Sequence, residues 1–446
     1  MTPCIFFAKG NCKFGQKCHF GHDEAASQGS TSSSLPFRPK LPQDRRITPN
    51  GKDSERSTQI ILQNKSKEQP TRKEREEARM LKGHGGFLQN LHVEGSVKDD
   101  QPVEMKNYEF VASYSWKNIE HPTIYVPGYP SQFIPTAAPF QMEPDNIRKR
   151  LRKRSPAAAV DPLFQSLLQM HPEFNMSSID IATDRNSLRK LLNFSSGIID
   201  QWRLEVDMID DTLFFSQWEE FRQKLINGQQ DSGYGHSLED HVTQKPTSME
   251  DCMHYERVVQ YELGGLKFLV RYEADAFIET EESPDIDERT TDDPVAPKPS
   301  KPVLKPPYKL VHVIPRGRLV DPTSIVEIKS HKRPKFNYSK TLPQLWFAQT
   351  KFICAARHED GLVSETLEVR DMSEELEKWR IQNQDNLKNM MKIIKEIKEI
   401  TREFRKCTVI YRVVDGRKCL SVFKRQSEFA IRPEVVETFW GTKSST

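Results

Sequence analysis

The chain has 446 residues, 36% hydrophobic and 29% charged, and its net charge at pH 7 is +3. This length is enough for one large domain with appendages. We expect no membrane segment or signal peptide, because no apolar run has the required length or position. Of the seven cysteines, four are scattered singly, which indicates a reducing compartment rather than a disulfide framework.

A zinc-finger pattern occupies the first residues of the chain. Cys4, Cys12, Cys18 and His22 have the spacing C-x7-C-x5-C-x3-H. Three thiolates and one imidazole fill the tetrahedral shell of Zn²⁺, and a closed shell of this kind is structural. We therefore predict a CCCH zinc finger over residues 1–24, whose folding depends on the metal.

The same segment carries three phenylalanines, Phe6, Phe14 and Phe20, between lysines. Aromatic rings that stack on bases and lysines that meet phosphates suit single-stranded RNA. We predict that this finger contacts RNA. The alternative is a protein-docking module whose phenylalanines only cover the metal.

A polar, low-complexity stretch follows over residues 25–107 and is predicted to be a flexible linker, with a short charged helix at 68–82. Folded sequence is expected over residues 108–430, and residues 431–446 are predicted to form a C-terminal tail. Residues 110–116 alternate like a β-strand, and residues 122–128 close a turn after it.

Residues 148–154 form a compact basic cluster. It is equally consistent with a nuclear localisation signal, a strip that contacts phosphate, and a solvated basic helix face. On the first of these three interpretations we predict a nuclear location.

Two short segments, residues 271–275 and 326–330, alternate a charged residue with an apolar or small one. Residues two apart in a strand share a face, so we expect Glu273 to project with Asp275, and Glu327 with Lys329. Three carboxylates and a lysine suit a hard divalent cation beside a phosphate, which is nuclease chemistry. The alternative is a pair of solvated strand faces or cross-strand ion pairs.

An acidic and then proline-rich insertion, residues 279–307, separates these two segments. Its composition cannot bury a core, so we predict an exposed loop. Such a loop costs little entropy, and the two strands are still expected to be neighbours.

Helical sequence is predicted from residue 373 to about residue 404, and residues 408–423 are predicted to form a β-hairpin around the Asp415-Gly416 turn. Helices that alternate with strands and hairpins indicate an α/β or α+β domain. The apolar stripe of the helix, expected to face the core, consists of Leu387, Met390, Ile394, Ile397 and Phe404.

Three further segments stand in order around the two charged strands, and together they resemble the motifs of the DXO/Rai-type RNA decapping exonucleases. They are residues 183–192 with Arg185, residues 233–239 with Glu239, and residues 345–349 with Gln349. The resemblance covers about residues 108–430 and implies a fold similar to the PD-(D/E)xK nucleases, a mixed sheet with flanking helices. The zinc finger and the long insertion are not typical of that family.

Residue by residue, the resemblance implies a metal site that holds Mg²⁺ or Mn²⁺ between Glu239, Glu273, Asp275 and Glu327, with the Ile328 carbonyl as a further ligand. It implies that Lys329 lies beside the attacking water, and that Arg185 and Gln349 contact RNA. The expected catalytic residues are Glu273, Asp275, Glu327 and Lys329.

Members of this family remove incomplete or unusual 5′ caps, including NAD caps, hydrolyse 5′ triphosphates, and in some cases degrade RNA from the 5′ end. We therefore expect a metal-dependent RNA 5′-end hydrolase that acts in 5′-end quality control. The main alternative is a non-catalytic RNA-binding scaffold that supports a partner exonuclease. A DNA nuclease is a third option, and the CCCH finger favours RNA.

Overall fold

Two β-sheets of unequal size organise the fold. The computed structural model describes residues 71–93, 95, 101–119, 121–145, 160–218, 233–279, 311–427 and 431–441, all within one unit of the chain, Pro70–Thr446. The zinc-finger residues, the 148–154 cluster and the 279–307 insertion after its first residue lie outside the described residues.

The larger sheet has eleven strands and combines parallel and antiparallel pairs. In chain order they are β1 (His84–Leu91), β2 (Met105–Lys117), β3 (Thr123–Gly128), β6 (Ile181–Asp184), β7 (Arg203–Ile209), β8 (Thr212–Gln217), β10 (Cys252–Leu263), β11 (Leu266–Ala274), β13 (His312–Gly317), β18 (Lys406–Val414) and β19 (Arg417–Arg425). Their spatial order is β1-β19-β18-β7-β8-β6-β11-β10-β2-β3-β13. Strand β6 runs parallel to both of its neighbours.

The smaller sheet has six short strands. In chain order they are β4 (Ser131–Phe133), β9 (Thr243–Gln244), β12 (Ala276–Phe277), β14 (Ile325–His331), β15 (Phe352–Arg357) and β17 (Val369–Asp371), in the spatial order β17-β15-β14-β12-β4-β9. Strands β5 (Phe140–Gln141) and β16 (Leu362–Val363) form a separate pair.

Helices cover both faces of the larger sheet. They are α1 (Arg72–Met80), α2 (Asp161–Met170), α3 (Arg185–Ser195), α4 (Gly235–Val242), α5 (Leu342–Ala348), α6 (Ser373–Gln382), α7 (Gln384–Phe404) and α8 (Pro433–Trp440). The main core lies between the larger sheet and α3, α5, α6 and α7, while α2 and α8 pack on the opposite face. Helix α4 packs against the smaller sheet.

The chain passes from one sheet to the other at Asp275, the single residue between β11 and β12. Strand β12 pairs with β14, with Ala276 opposite Val326. The two charged segments of the sequence therefore meet at the junction of the sheets, as predicted, and the mixed α+β architecture with flanking helices is confirmed.

The folded region begins earlier than the sequence indicated. Residues 72–80 and 84–91, predicted as linker, form helix α1 and the edge strand β1, which pairs with β19. Helix α1 is anchored by only a few contacts, with Met80 packed beside Ile410 and Phe423. An edge strand and a thinly anchored helix remain polar in composition, which is why this stretch resembles a linker. Helix α8 likewise lies within the predicted tail.

The C-terminal predictions hold with one change. The hairpin is formed by β18 and β19 around Asp415 and Gly416, both with positive φ. The predicted helix is divided at Asn383 into α6 and α7, and its apolar stripe faces the main core. The four described cysteines are buried free thiols. None of the described helices is long and apolar enough to cross a membrane.

Candidate active site

Strand β14 presents Glu327 and Lys329 on one face, as its alternating sequence predicts. Val326 and Ile328 are buried in the core of the smaller sheet. The Glu327 side chain is only 2% exposed, and Lys329 Nζ donates to Glu327 Oε1 and, at 3.0 Å, to the Ile328 carbonyl. Regular strand geometry thus places a charged pair at the junction between the sheets.

Asp275 joins this pair from the junction residue itself. Asp275 Oδ2 accepts a hydrogen bond of 2.8 Å from the Ile328 backbone N–H, and it lies 3.6 Å from Lys329 Nζ. The lysine ammonium therefore stands between two carboxylates, those of Asp275 and Glu327.

Arg185 approaches from the opposite side, at the start of helix α3. Its Nη1 lies 3.3 Å from Glu327 Oε2, and its Nη2 donates to the Glu273 carbonyl at 3.3 Å. The guanidinium also lies 5.1 Å from the centre of the Tyr272 ring. Strand β6 ends directly before Arg185 and runs parallel to β11. Arg185, the first residue of α3, therefore lies near the end of β11.

Two residues of this cluster carried no signal in the sequence. Gln344, on α5, donates through Nε2 to Glu327 Oε1. Arg189 lies one turn after Arg185 on α3, and its pKa is lowered by burial and by the charge of Arg185. A glutamine and a second arginine on short helices have no periodicity that marks them, so only the packing identifies them.

The carboxyl groups of the cluster have shifted pKa values. Burial raises the pKa of Asp275 well above its usual range, and repulsion by Glu327 adds to this increase, as does Glu239 to a smaller degree. Burial also raises the pKa of Glu327, but the charges of Lys329 and Arg185 outweigh it, so this pKa lies below its ordinary value. The environment thus disfavours the charged form of Asp275 and favours that of Glu327.

Lys329 is a permanent cation at neutral pH. Burial lowers the pKa of its ammonium, but attraction by Glu327 and then Asp275 outweighs burial and raises the pKa above its usual value. Lys329 is therefore suited to stabilise negative charge and unsuited to accept a proton.

Glu239 lies on α4. Electrostatic repulsion between its carboxylate and that of Asp275 contributes to the raised pKa of Asp275. Its carboxylate Oε2 is 3.5 Å from His236 Nδ1 on the same helix. The helix packs against β14, with Leu238 and Val242 buried beside Ile328. The structure thus brings Arg185, Glu239, Asp275, Glu327, Ile328 and Lys329 to one place.

Glu273 does not share a face with Asp275, in contrast to the prediction. Its carboxylate Oε1 lies 2.5 Å from His254 Nδ1, and the side chain is 45% exposed. The alternation of β11 ends at Ala274, because the chain changes sheets at Asp275, and a period of two residues cannot be continued across that break. Glu273 and Asp275 therefore leave the junction in different directions.

Gln349 also lies apart from the carboxylate cluster. It follows α5 in a left-handed conformation with φ 51°, and its Nε2 donates to the Trp346 carbonyl at 2.8 Å. Together with Trp346, Lys351 and Arg380 it lines a cavity of about 450 Å³. The Zn²⁺ ligands Cys4, Cys12, Cys18 and His22 and the three finger phenylalanines lie outside the described residues.

The donor chemistry of the cluster fits a divalent cation. In the part of the chain that the structure describes, no three His, Cys, Asp or Glu side chains form a ready coordination shell. However, the carboxylates of Asp275 and Glu327 share one ammonium, and burial and the charge of Glu327 raise the pKa of Asp275. Oxygen donors in this state are those that Mg²⁺ and Mn²⁺ prefer, and the ligands would be Asp275, Glu327, Glu239 and the Ile328 carbonyl.

Asp145 holds the helix that carries Glu239. Its Oδ1 accepts from the Ser237 backbone N–H at 2.9 Å and its Oδ2 from that of His236 at 3.3 Å. Its own N–H donates to the Gly233 carbonyl at 2.9 Å. The buried Asp145 carboxylate therefore serves as the N-terminal cap of α4, although it is distant in sequence.

We predict that Asp145→Ala lowers the free energy of unfolding by about 1 kcal/mol, since it removes a helix cap. Because α4 then holds Glu239 less firmly, the divalent ion concentration for half-maximal activity should rise. Asp145→Asn keeps an acceptor and should show smaller changes in both quantities. Unchanged denaturation curves and ion dependence for Asp145→Ala would contradict this role.

Comparisons with known proteins were made for the whole chain. Residues 92–440 match the model of a family described as Domain of unknown function (DUF8563). No curated protein sequence matches the chain. Among solved structures, Candida albicans Rai1 in complex with pU5-Mn²⁺ has a TM-score of 0.53 at 15% identity and covers 78% of this chain and 98% of its own.

Scheffersomyces stipitis Rai1 has a TM-score of 0.51 at 14% identity and covers 78% of this chain and 97% of its own. At these identities, the likeness establishes the fold, which this chain shares over nearly the full length of both Rai1 structures.

Proposed function

The chain belongs to the protein family described as a domain of unknown function (DUF8563), and we propose that it is a divalent-metal-dependent hydrolase of RNA 5′ ends. The observation that carries this proposal is the buried cluster in which Lys329 stands between Asp275 and Glu327, with Arg185 on the far side. The pU5-Mn²⁺ complex of Candida albicans Rai1, which has the same fold, supports the choice of RNA and of the metal.

Each residue of the cluster has a distinct task. When bound by Asp275, Glu327, Glu239 and the Ile328 carbonyl, Mg²⁺ or Mn²⁺ would polarise the phosphoryl group and lower the pKa of a water molecule. Lys329 stays charged and stabilises the negative charge that develops on the phosphoryl oxygens. Arg185 binds a phosphate of the RNA, since its guanidinium lies beside Glu327 and is oriented by Tyr272.

Glu273 and Gln349 remain proposed contributors, as a further metal ligand and an RNA contact. Glu273 reaches the metal only when its carboxylate leaves His254. Gln349 contacts RNA only when the strand extends to the cavity beside Trp346. In this proposal, Asp275 and Glu327 are the central ligands, and Glu273 and Gln349 have supporting roles.

The proposal is tested by incubating purified protein with 5′-triphosphate, GpppA-capped, NAD-capped and 5′-monophosphate RNAs in Mg²⁺ or Mn²⁺. The wild type should release a product from at least one of the four, and Glu327→Ala should release none. The end group that reacts identifies decapping, removal of NAD or pyrophosphate hydrolysis. If the wild type binds these RNAs and releases nothing, the enzyme assignment is wrong and a scaffold role for a partner exonuclease is supported.

We further propose that Cys4, Cys12, Cys18 and His22 hold a structural Zn²⁺ and that the finger adds RNA affinity to the hydrolase. Cys12→Ser should remove the bound zinc, measured by metal analysis, and weaken RNA binding about tenfold, equivalent to about 1.4 kcal/mol. Turnover of a short RNA at saturating concentration should persist, because the finger lies outside the 92–440 region that matches the family. Loss of that turnover would contradict a finger that only adds affinity.

A further inference from the structure

The loop that follows the catalytic strand has a composition that neither charge balance nor core packing explains. Residues 332–340, here named the basic loop, contain four basic residues and no acidic one, and all four are exposed. These are Lys332, Arg333, Lys335 and Lys340.

Both ends of the basic loop are anchored in the candidate active site. Strand β14 carries Glu327 and Lys329 and ends at His331, directly before the loop. Helix α5 starts at Leu342, directly after the loop, and carries Gln344 to Glu327. A strand of RNA whose 5′ end lies at Asp275 and Glu327 therefore has this loop beside it.

Aromatic rings form the inner side of the loop. Phe336 and Tyr338 are half-buried against the main core, with ring centres 4.8 Å apart, and His331 lies 5.1 Å from Phe336. The Arg370 guanidinium lies 5.4 Å from the Tyr338 ring centre. The rings pack inward, and the lysines and Arg333 are left exposed.

The basic loop is held in one shape and is joined to the arginines of the cluster. The Asn337 side chain accepts from the Ser339 backbone N–H at 3.1 Å and so caps the short turn Tyr338–Lys340. Arg189, on α3, donates to the Lys340 carbonyl at 3.3 Å. Arg189, which follows Arg185 by one turn of α3, is therefore in contact with the end of the basic loop.

Exposed basic residues elsewhere in the described chain are commonly paired with acids, for example Lys378 with Glu374 and Arg402 with Glu399. In the basic loop, Lys332 forms an ion pair with Asp360 at 3.3 Å, with side-chain exposures of 56% and 93%. A pair so exposed contributes little in water. The positive charge of the loop is thus free to attract a polyanion.

From these observations, we propose that the basic loop binds the phosphate backbone of single-stranded RNA beyond the 5′ end that occupies the active site. This inference rests on the proposed function. Exposed cations that follow the backbone are suited to single-stranded nucleic acid, because its phosphates meet them in a positively charged groove. The RNA strand passes along the loop, which begins directly after β14 and ends beside Arg189.

The test compares two triple variants in RNA binding, in EDTA so that no hydrolysis occurs. The first removes three charges of the loop by Lys332→Ser, Arg333→Ser and Lys335→Ser. The matched control removes three exposed charges at the β1–β19 edge of the larger sheet by Lys82→Ser, Arg417→Ser and Lys424→Ser. The probes are fluorescent 5′-monophosphate oligouridylates of 3 and 20 nucleotides at several salt concentrations.

For the 20-mer, the loop variant should bind at least about tenfold more weakly than the control, and the slope of log affinity against log salt should fall by about 2, since each single-strand phosphate contact contributes about 0.7. Binding of the 3-mer should fall by less than binding of the 20-mer, because a shorter strand brings fewer phosphates to the loop. Equal 20-mer binding by the two variants, or an equal loss for the 3-mer, would overturn the proposal.

These results are separate from those of the enzyme assay. If the wild type hydrolyses no RNA 5′ end, but the loop variant loses more affinity for the 20-mer than for the 3-mer, the hydrolase proposal is refuted and the RNA-binding proposal is retained. If the wild type hydrolyses RNA, but the loop variant shows no such loss, the hydrolase proposal is retained and the RNA-binding proposal is refuted. If polyglutamate competes for the loop as well as the 20-mer does, the loop attracts acidic polymers in general and the RNA assignment is wrong.

Discussion

Asp275→Asn is expected to abolish RNA 5′-end hydrolysis and at the same time to stabilise the metal-free protein. The Asp275 carboxyl is buried and faces Glu327 and Glu239, and its pKa is raised first by burial and then by Glu327. Asparagine keeps an oxygen that can accept the hydrogen bond from the Ile328 N–H but removes the charge. The burial of the Asp275 carboxyl near two other carboxylates therefore destabilises the metal-free fold, and the same arrangement favours the binding of a cation.

The direction of the stability change follows from the raised pKa. A group whose pKa is higher in the folded state contributes stability below its unfolded pKa and loses it as the pH rises through the folded pKa. At neutral pH, Asp275 therefore lowers the free energy of unfolding, and Asp275→Asn should raise it.

Two measurements check this expectation. Single-turnover hydrolysis should fall at least about 1000-fold, equivalent to about 4 kcal/mol in the activation free energy, whereas chemical denaturation without metal should show a more stable variant. Mn²⁺ should raise the melting temperature of the wild type and leave that of Asp275→Asn nearly unchanged. An active variant, or one that Mn²⁺ stabilises as much as the wild type, would show that Asp275 is not a metal ligand.

Glu327→Gln is expected to abolish hydrolysis as well, but with the opposite effect on stability. The Glu327 side chain is 2% exposed and neutralises both Lys329 and Arg185. Without its charge, two cations remain in a buried site with only Asp275 to balance them. Removal of one partner from a buried ion pair costs about 3 kcal/mol or more, so the free energy of unfolding should fall by about that amount.

The pH dependence of stability provides a second readout at this position. Burial raises the pKa of Glu327, but the charges of Lys329 and Arg185 lower it by more than burial raises it. Its folded pKa therefore lies below its unfolded value. Such a carboxylate contributes stability above the unfolded pKa, and this is lost as the pH falls through the folded pKa. The wild type should therefore lose more stability than Glu327→Gln on acidification below about pH 4.3, the ordinary glutamate pKa.

The matched control for this experiment is Glu403→Gln, at an exposed position of α7. It should change neither hydrolysis nor the free energy of unfolding by a measurable amount. If Glu327→Gln behaves like Glu403→Gln in denaturation, the ion pairs with Lys329 and Arg185 do not stabilise the fold.

The parts of the site that lie on regular structure could be predicted from the sequence. Glu327 and Lys329 alternate with buried residues along β14, so a period of two residues correctly placed them together. The same rule failed for Glu273 and Asp275, because the chain changes sheets between these two side chains. Local periodicity carries no information about where a strand leaves one sheet and enters the next.

Other features depend on tertiary packing, which short motifs do not encode. Gln344 contacts Glu327 only because the seven-residue helix α5 returns from the basic loop to the active site. Asp145 caps α4 from a position 92 residues away from Ser237. The polar composition of β1 reflects its place at the edge of the larger sheet, where only one neighbour covers it.

The two cations of the cluster have separate functions because their environments differ. Lys329 lies between Asp275 and Glu327, and its raised pKa keeps it charged throughout the neutral range. Arg185 spans Glu327 and the backbone of β11 and stacks on Tyr272. In the proposed reaction, Lys329 would act on the reacting phosphate, while Arg185 would hold a neighbouring one.

The most direct test of a metal-dependent hydrolase of RNA 5′ ends is a single-turnover time course on an RNA that carries separate labels at its two ends. With Mn²⁺, the wild type should release the 5′ label first, with no internal fragments at early times, and neither EDTA-treated wild type nor Asp275→Asn should release it. Internal fragments at the earliest times would indicate an endonuclease, and release of the 5′ label in EDTA would contradict the metal site at Asp275 and Glu327.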